Sequence, residues 1–130
     1  DGIPCYGFYI TVAGHRILYA TDFEYLPASF KNVRLTDMLV ECNHNKNLVN
    51  RNEVKYQHQI RGHCSCETLI EKVIKESMTS DLRTVILCHL SQENADPDKM
   101  LSELQKVAGE GVKCVCASAG ETVELSLYPF

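Results

Sequence analysis

Several features that would assign a function quickly are missing from this 130-residue sequence. No apolar run approaches about 18 residues, so the sequence predicts no transmembrane helix and no membrane partner. Basic residues are not in excess, since Lys and Arg number 13 against 17 Asp and Glu. The formal net charge of −4 argues against a generally basic nucleic-acid-binding face. Nucleic-acid chemistry is not excluded, because a metal ion can supply positive charge locally.

The C-x₂₋₄-C spacing that is typical of a structural zinc site does not occur among the seven cysteines. The sequence has two C-x-C pairs instead, Cys64 with Cys66 and Cys114 with Cys116. In a strand this spacing puts both thiols on one face, where they pack as small apolar groups. The odd number of cysteines favours reduced thiols, and we therefore expect a cytoplasmic protein. A small redox protein is less favoured because neither pair has C-x-x-C spacing at a helix start.

What the sequence does contain is a succession of strand-like and helix-like segments, which predicts a single α/β domain over residues 1–130. The predicted order is β-β-β-α-β-α-β-β. Ser65 and Asp96 are the predicted N-caps of the helices, and Gly109 ends the second helix. The strands are predicted at residues 5–12, 17–20, 37–42, 84–88, 113–118 and 122–127, and the helices at residues 66–78 and 97–108.

Two polar residues follow apolar runs and are candidates for one site. Asp22 comes just after the run at residues 17–20, and His89 comes just after the run at residues 84–88. A carboxylate and an imidazole suit a hard-to-borderline divalent metal ion. Two ligands do not hold a catalytic ion alone, so either further ligands lie elsewhere or there is no site.

Five segments, CYGFYI, LYATDF, LVECNHN, RGHCSCE and VILCHLSQENADP, occur in an order that resembles the second half of the metallo-β-lactamase-fold hydrolases. The resemblance is strongest to their exonuclease-like phosphodiesterase group and extends from about Cys5 to Leu127. It implies half of a four-layer α/β/β/α sandwich. The family's H-x-H-x-D-H signature is absent, since none of the five histidines lies two residues from another. The chain therefore resembles the carboxy-terminal half of such a domain.

The resemblance implies a metal-dependent hydrolase, a phosphodiesterase or nuclease, in which two zinc or manganese ions activate water. It assigns Asp22 as a catalytic carboxylate that bridges the metals and His89 as a metal ligand. It therefore implies that the two side chains converge at one edge of a sheet, within roughly 5–8 Å. His63, just before a helix start, is a catalytic candidate that either faces substrate or only packs. Asn43 and His44 are candidates for substrate binding, although Asn-rich loops also contain Asn for backbone reasons. The group that orients the His89 ring cannot be named from the sequence.

Two classes of function stay open. In the first, the chain is part of a metal-dependent hydrolase, and alone it should bind metal weakly and hydrolyse nothing appreciable. In the second, it is a non-catalytic binding or assembly module that keeps the half-fold without a metal site. In both classes one apolar sheet face would lack its partner. We therefore expect pairing with a missing amino-terminal half, or self-association through that face or an open edge. The expected substrate is nucleic acid or another phosphodiester.

Overall fold

A computed structural model describes residues 5–24, 26, 29–49 and 62–127 of the chain. Within these ranges the strands form one mixed sheet in the order β1-β2-β3-β4-β5. The β1–β2 hairpin is antiparallel, and β2 to β5 run parallel. The α/β class is therefore confirmed. The strands are β1 Phe8–Val12, β2 His15–Ala20, β3 Asp37–Glu41, β4 Thr84–Cys88 and β5 Lys113–Cys116.

Two helices follow β3 and β4 and connect the parallel strands. Helix α1 covers residues 66–77, with α-helical ends at Cys66–Thr68 and Lys75–Ser77 and a π-helical middle at Leu69–Ile74. Helix α2 is Pro97–Ala108. Both predicted N-caps are confirmed, because the side chains of Ser65 and Asp96 accept hydrogen bonds from backbone N–H groups of the first turn. In the described part of the chain, no helix combines the length and the apolar character needed to cross a membrane.

The hydrophobic core lies between these helices and one face of the sheet. Met38 and Val40 of β3 point into it and are fully buried, because alternate residues of a strand face the same side. Leu69 of α1 and Leu104 of α2 belong to the same apolar cluster. The core thus fixes the position of the central strands, and with them the polar residues at the strand ends.

The other face of the sheet is crossed by the last described segment rather than covered by helices. The predicted eighth element, a strand over residues 122–127, is wrong. The chain leaves the sheet after Ala117, and a turn closed by a hydrogen bond from the Glu121 N–H to the Ser118 carbonyl redirects it. Val123 and Leu125 then line a groove of about 420 Å³ against the sheet. The described residues therefore form an α layer on a sheet, and the four-layer sandwich stays a prediction.

Candidate metal centre

The carboxyl ends of the parallel strands bring four polar side chains together. Glu41 is the last residue of β3 and pairs in register with Cys88, so His89 follows at the same edge of the sheet. Asp22 lies two residues beyond the end of β2, the neighbouring strand. His63 reaches this edge from the segment before α1, where the backbone N–H of the next residue donates to Glu41. The topology therefore gathers residues that are far apart in the sequence.

Glu41 is the centre of this cluster, and its side chain is 0% exposed. Its Oε1 accepts hydrogen bonds from Nδ1 of His63, at 2.9 Å, and from Nδ1 of His89. Its Oε2 accepts one from the backbone N–H of Cys64, at 2.8 Å. A buried carboxylate requires such donors because burial strips it of water. In the neutral tautomer in which each Nδ1 donates its proton to Glu41, the Nε2 atom of each ring keeps a lone pair for a ligand.

Asp22 completes the group at its exposed side. Its Oδ1 lies 3.6 Å from Nδ1 of His89, closer than the predicted 5–8 Å, so the expected convergence is confirmed. One potential ligand atom from each of Asp22, Glu41, His63 and His89 lies within 4.8 Å of the others. The side chains of Asp22, His89 and His63 are 56%, 45% and 28% exposed. Three of the four groups are thus accessible from solvent.

Glu41 is the member that sequence reasoning missed. Its only signal is a charge inside the apolar run DMLVEC. Charged residues are almost never fully buried unless they are paired, so a buried strand with this sequence needs partners for its carboxylates. The sequence gives no indication of which residues those partners are, because His63 and His89 lie 22 and 48 positions further along the chain.

Both strand-exit residues of the cluster have left-handed backbone conformations. Asp22 has φ of 58° and His89 has φ of 55°. Asp and His enter this region more readily than most residues, but the conformation still costs on the order of 1–3 kcal/mol. The His89 carbonyl is held by the side-chain amide of Asn43, which donates to it at 3.0 Å. The fold thus maintains two strained positions where the side chains must turn toward each other, a pattern found at functional sites.

Asn43 and His44 belong to the loop network behind the cluster. Besides its bond to His89, Asn43 accepts a hydrogen bond from the Ser91 N–H through its backbone carbonyl. The His44 residue is 3% exposed, and its carbonyl accepts from the N–H of Cys66. Burial lowers the pKa of His44, which favours its neutral form. These contacts position the loops, and the predicted role of both residues in substrate binding stays a prediction.

Two thiols near the cluster, Cys64 and Cys88, are not among its potential metal ligands. Burial, reinforced by the negative charge of Glu41, raises the pKa of Cys64 to about 12. Burial, with smaller effects of Glu41 and Asp22, raises the pKa of Cys88 to about 11. Without a metal, both thiols are therefore protonated at pH 7. The potential ligands of the cluster are carboxylate oxygens and imidazole nitrogens, which divalent ions bind.

A shallow pocket of about 350 Å³ opens beside the cluster. It has both polar and apolar walls, and neither Asn43 nor His44 belongs to its lining. Its position next to two accessible metal-ligand candidates makes it the place where a substrate could approach them. The lining residues are Tyr19, Thr21, Asp22, Leu39, Cys88 and His89.

The four side chains could hold a divalent ion. Among the described residues this is the one group of three or more His, Cys, Asp or Glu side chains close enough to hold a metal. A second ion, which the family resemblance implies, would need ligands that these residues do not supply. No family model matches the chain, and no curated protein or solved structure matches it either.

Proposed function

We propose that Asp22, His63 and His89 bind a divalent metal ion, zinc or manganese, and that Glu41 orients the two imidazoles. The proposal rests on one observation: one potential ligand atom from each of these four residues lies within 4.8 Å of the others. Glu41 is given the orienting role because both of its oxygens are already engaged and its side chain is fully buried. A carboxylate behind a ligating histidine fixes the tautomer and raises the basicity of the ring. The catalytic role predicted for His63 becomes that of a ligand.

We propose further that the chain is part of a metal-dependent hydrolase that acts on phosphodiesters. Three protein ligands leave coordination positions for water and substrate, as in catalytic rather than structural zinc sites. A divalent ion supplies positive charge that stabilises the anionic transition state and makes water a better nucleophile at neutral pH. That charge matters here because the chain itself carries a formal net charge of −4. Asp22 and the two histidines would hold this charge, and Asp22 and His89 also line the shallow pocket.

The metal site is tested by calorimetric titration of the purified chain with Zn²⁺ and with Mn²⁺. The wild type should bind one ion, and Asp22→Asn should reduce the affinity at least about 10-fold, or about 1.4 kcal/mol. The matched control is Asp37→Asn, the same chemical change at the other end of the strands, which should leave the affinity unchanged. Absence of binding, or an equal loss in both variants, would overturn the site.

The class of substrate is tested with inorganic phosphate as the probe. Phosphate should bind to the metal-loaded chain and not to the metal-free chain, because the ion provides the positive charge. The isolated chain should show negligible turnover of a phosphodiester such as bis(p-nitrophenyl) phosphate, because clamping both reacting oxygens takes a second ion whose ligands the described residues do not supply. Metal binding without any phosphate affinity would contradict the hydrolase proposal while leaving the metal site intact.

A non-catalytic binding module is the second candidate. One observation favours it: the polar groups of Glu41, His63 and His89 already have hydrogen-bond partners in one another without an ion. In that case the cluster would act as a polar clamp between β3, β4 and the segment before α1. The same titration separates the candidates, because a clamp predicts no saturable metal binding at neutral pH.

A further inference from the structure

Strand β1 forms an edge of the sheet, and all five of its residues are exposed. Its large apolar side chains, together with Tyr6 just before it, are between 41% and 72% exposed. Soluble monomers seldom expose contiguous apolar patches beyond a few hundred Å². The side chains concerned are Tyr6, Phe8, Tyr9, Ile10 and Val12.

This edge lacks the features by which proteins usually prevent strand pairing. Residues 5–14 include no charged residue and no proline, although charges and prolines are the common protection of edge strands. The opposite edge, β5, differs, because it begins with the charged Lys113 and its residues are half-buried. Within the described sheet, β1 is therefore the edge open to another strand.

We infer that β1 pairs antiparallel with the β1 of a second copy of this chain. Two-fold pairing centred on Ile10 puts Ile10 opposite its own copy and Phe8 opposite Val12. Apolar groups thus meet apolar groups, and no like charges face each other across the axis. A second copy fits better than an acidic or basic partner, because the strand offers no charge by which such a partner would be recognised. The inference is independent of the metal site.

The area available matches a weak dimer. Each copy has three partly exposed aromatic rings, and in the two copies together these rings offer roughly 600 Å² of apolar surface for burial. The aliphatic side chains raise the available area to on the order of 1,000 Å². This is the lower end of the range for specific interfaces, and we expect dissociation in the micromolar range. The dimer would join two sheets edge to edge.

The test is sedimentation velocity of the wild-type chain between about 1 and 100 μM. Dimer should accumulate with concentration, and Ile10→Lys or Ile10→Glu alone should give monomer, because equal charges then meet at the axis. An equal mixture of the two variants should recover the dimer, because opposite charges now meet. Ser102→Lys and Ser102→Glu, on the exposed side of α2, are matched controls that should not change the wild-type behaviour.

Two results would overturn the inference. One is a wild type that remains monomeric at 100 μM, and the other is a mixture of the two Ile10 variants that stays monomeric although circular dichroism shows both folded. Amide hydrogen exchange of the wild type gives an independent readout that needs no substitution. Protection of the β1 amides should rise with protein concentration, and protection that is independent of concentration contradicts the pairing.

Discussion

Strand β3 begins with Asp37 and ends with Glu41, and each of these buried carboxylates bonds histidine at an opposite edge of the sheet. At the amino edge, Oδ2 of Asp37 bonds Nδ1 of His15 at 2.6 Å, and both side chains are largely inaccessible. At the carboxyl edge, Glu41 bonds His63 and His89, whose rings reach the surface. The same carboxylate–imidazole pairing is thus buried at the amino ends of the strands and exposed to solvent at their carboxyl ends.

The comparison indicates what a carboxylate–imidazole pair needs before it could hold a metal ion. At the amino edge Thr36 donates to Asp37 at 2.6 Å, and no third metal-ligand candidate gathers there among the described residues. At the carboxyl edge two histidines share one acceptor, and Asp22 adds an exposed carboxylate. Oδ1 of Asp37 has no hydrogen-bond partner among the described residues. A carboxylate oxygen that is free to bind a metal is therefore not sufficient for a metal site. Accessible ligands in sufficient number distinguish the two edges.

The largest effect is expected from Glu41→Ala. Removal of this acceptor leaves the Cys64 N–H buried and both histidine rings without their anchor, which should cost about 2–4 kcal/mol of unfolding free energy. Affinity for Zn²⁺ should fall about 10- to 100-fold. Urea denaturation and calorimetric titration measure the two effects. Glu41→Gln should recover part of the stability, since an amide oxygen still accepts the backbone bond, and wild-type values in the Ala variant would contradict the central role of Glu41.

At the amino ends of the strands, Asp37→Ala should lower the unfolding free energy without changing the affinity for metal. The loss of the bonds to His15 and Thr36 should cost about 1–3 kcal/mol, while affinity for metal stays at the wild-type value. The same two measurements apply. A parallel fall in metal affinity would show that the two edges are not independent and would remove the contrast between them.

Substitutions at Asp22 separate charge from backbone strain. Asp22→Asn should leave the stability of the metal-free chain within about 0.5 kcal/mol, because the side chain is exposed and Asn tolerates the left-handed backbone. Asp22→Ala should lose a further 1–2 kcal/mol or so, because Ala pays the steric cost at φ of 58°. Thermal or urea unfolding measures both variants. Equal stability of the Asn and Ala variants would show that the backbone at residue 22 is not strained.

The smallest expected effect is a pH dependence due to His44. Burial lowers the pKa of His44 in the folded state, so below the ordinary value of about 6.5 the unfolded chain binds a proton that the folded chain resists. The contribution of His44 should therefore lower stability as pH falls through that value and level off below the folded pKa. His44→Asn should flatten this part of the curve. A curve identical to that of the wild type between about pH 7 and 5 would contradict the assignment.

Local patterns predicted most of the elements well. Thr84–Cys88 has the predicted bounds, and the N-caps Ser65 and Asp96 act as expected, because capping depends on residues three positions apart. The π-helical middle of α1 was not predicted, since its buried stripe satisfies an α-helical pattern equally well. The strand predicted at residues 122–127 failed for a different reason: its alternating pattern fits a strand, but pairing depends on a neighbour that the chain turns away from.

The site was predicted in part. The convergence of Asp22 with His89 was expected from the family resemblance. In the structure it arises because β2, β3 and β4 run parallel, so that their carboxyl ends meet at one edge of the sheet. The central position of Glu41 could not be predicted, because a charge in an apolar run does not reveal its partners. The left-handed exits at Asp22 and His89 also depend on contacts that only the folded chain makes.

We propose that Asp22, His63 and His89 hold a divalent ion at the carboxyl ends of the strands while Glu41 stays behind the rings. Crystals soaked with Zn²⁺ and measured at the zinc absorption edge test this arrangement directly. We expect one anomalous peak at about 2.0–2.2 Å from a carboxylate oxygen of Asp22 and from Nε2 of both histidines, with the bonds from Glu41 to Nδ1 retained. A peak elsewhere, or density showing the ion between Glu41 and the Nδ1 atoms, would contradict it.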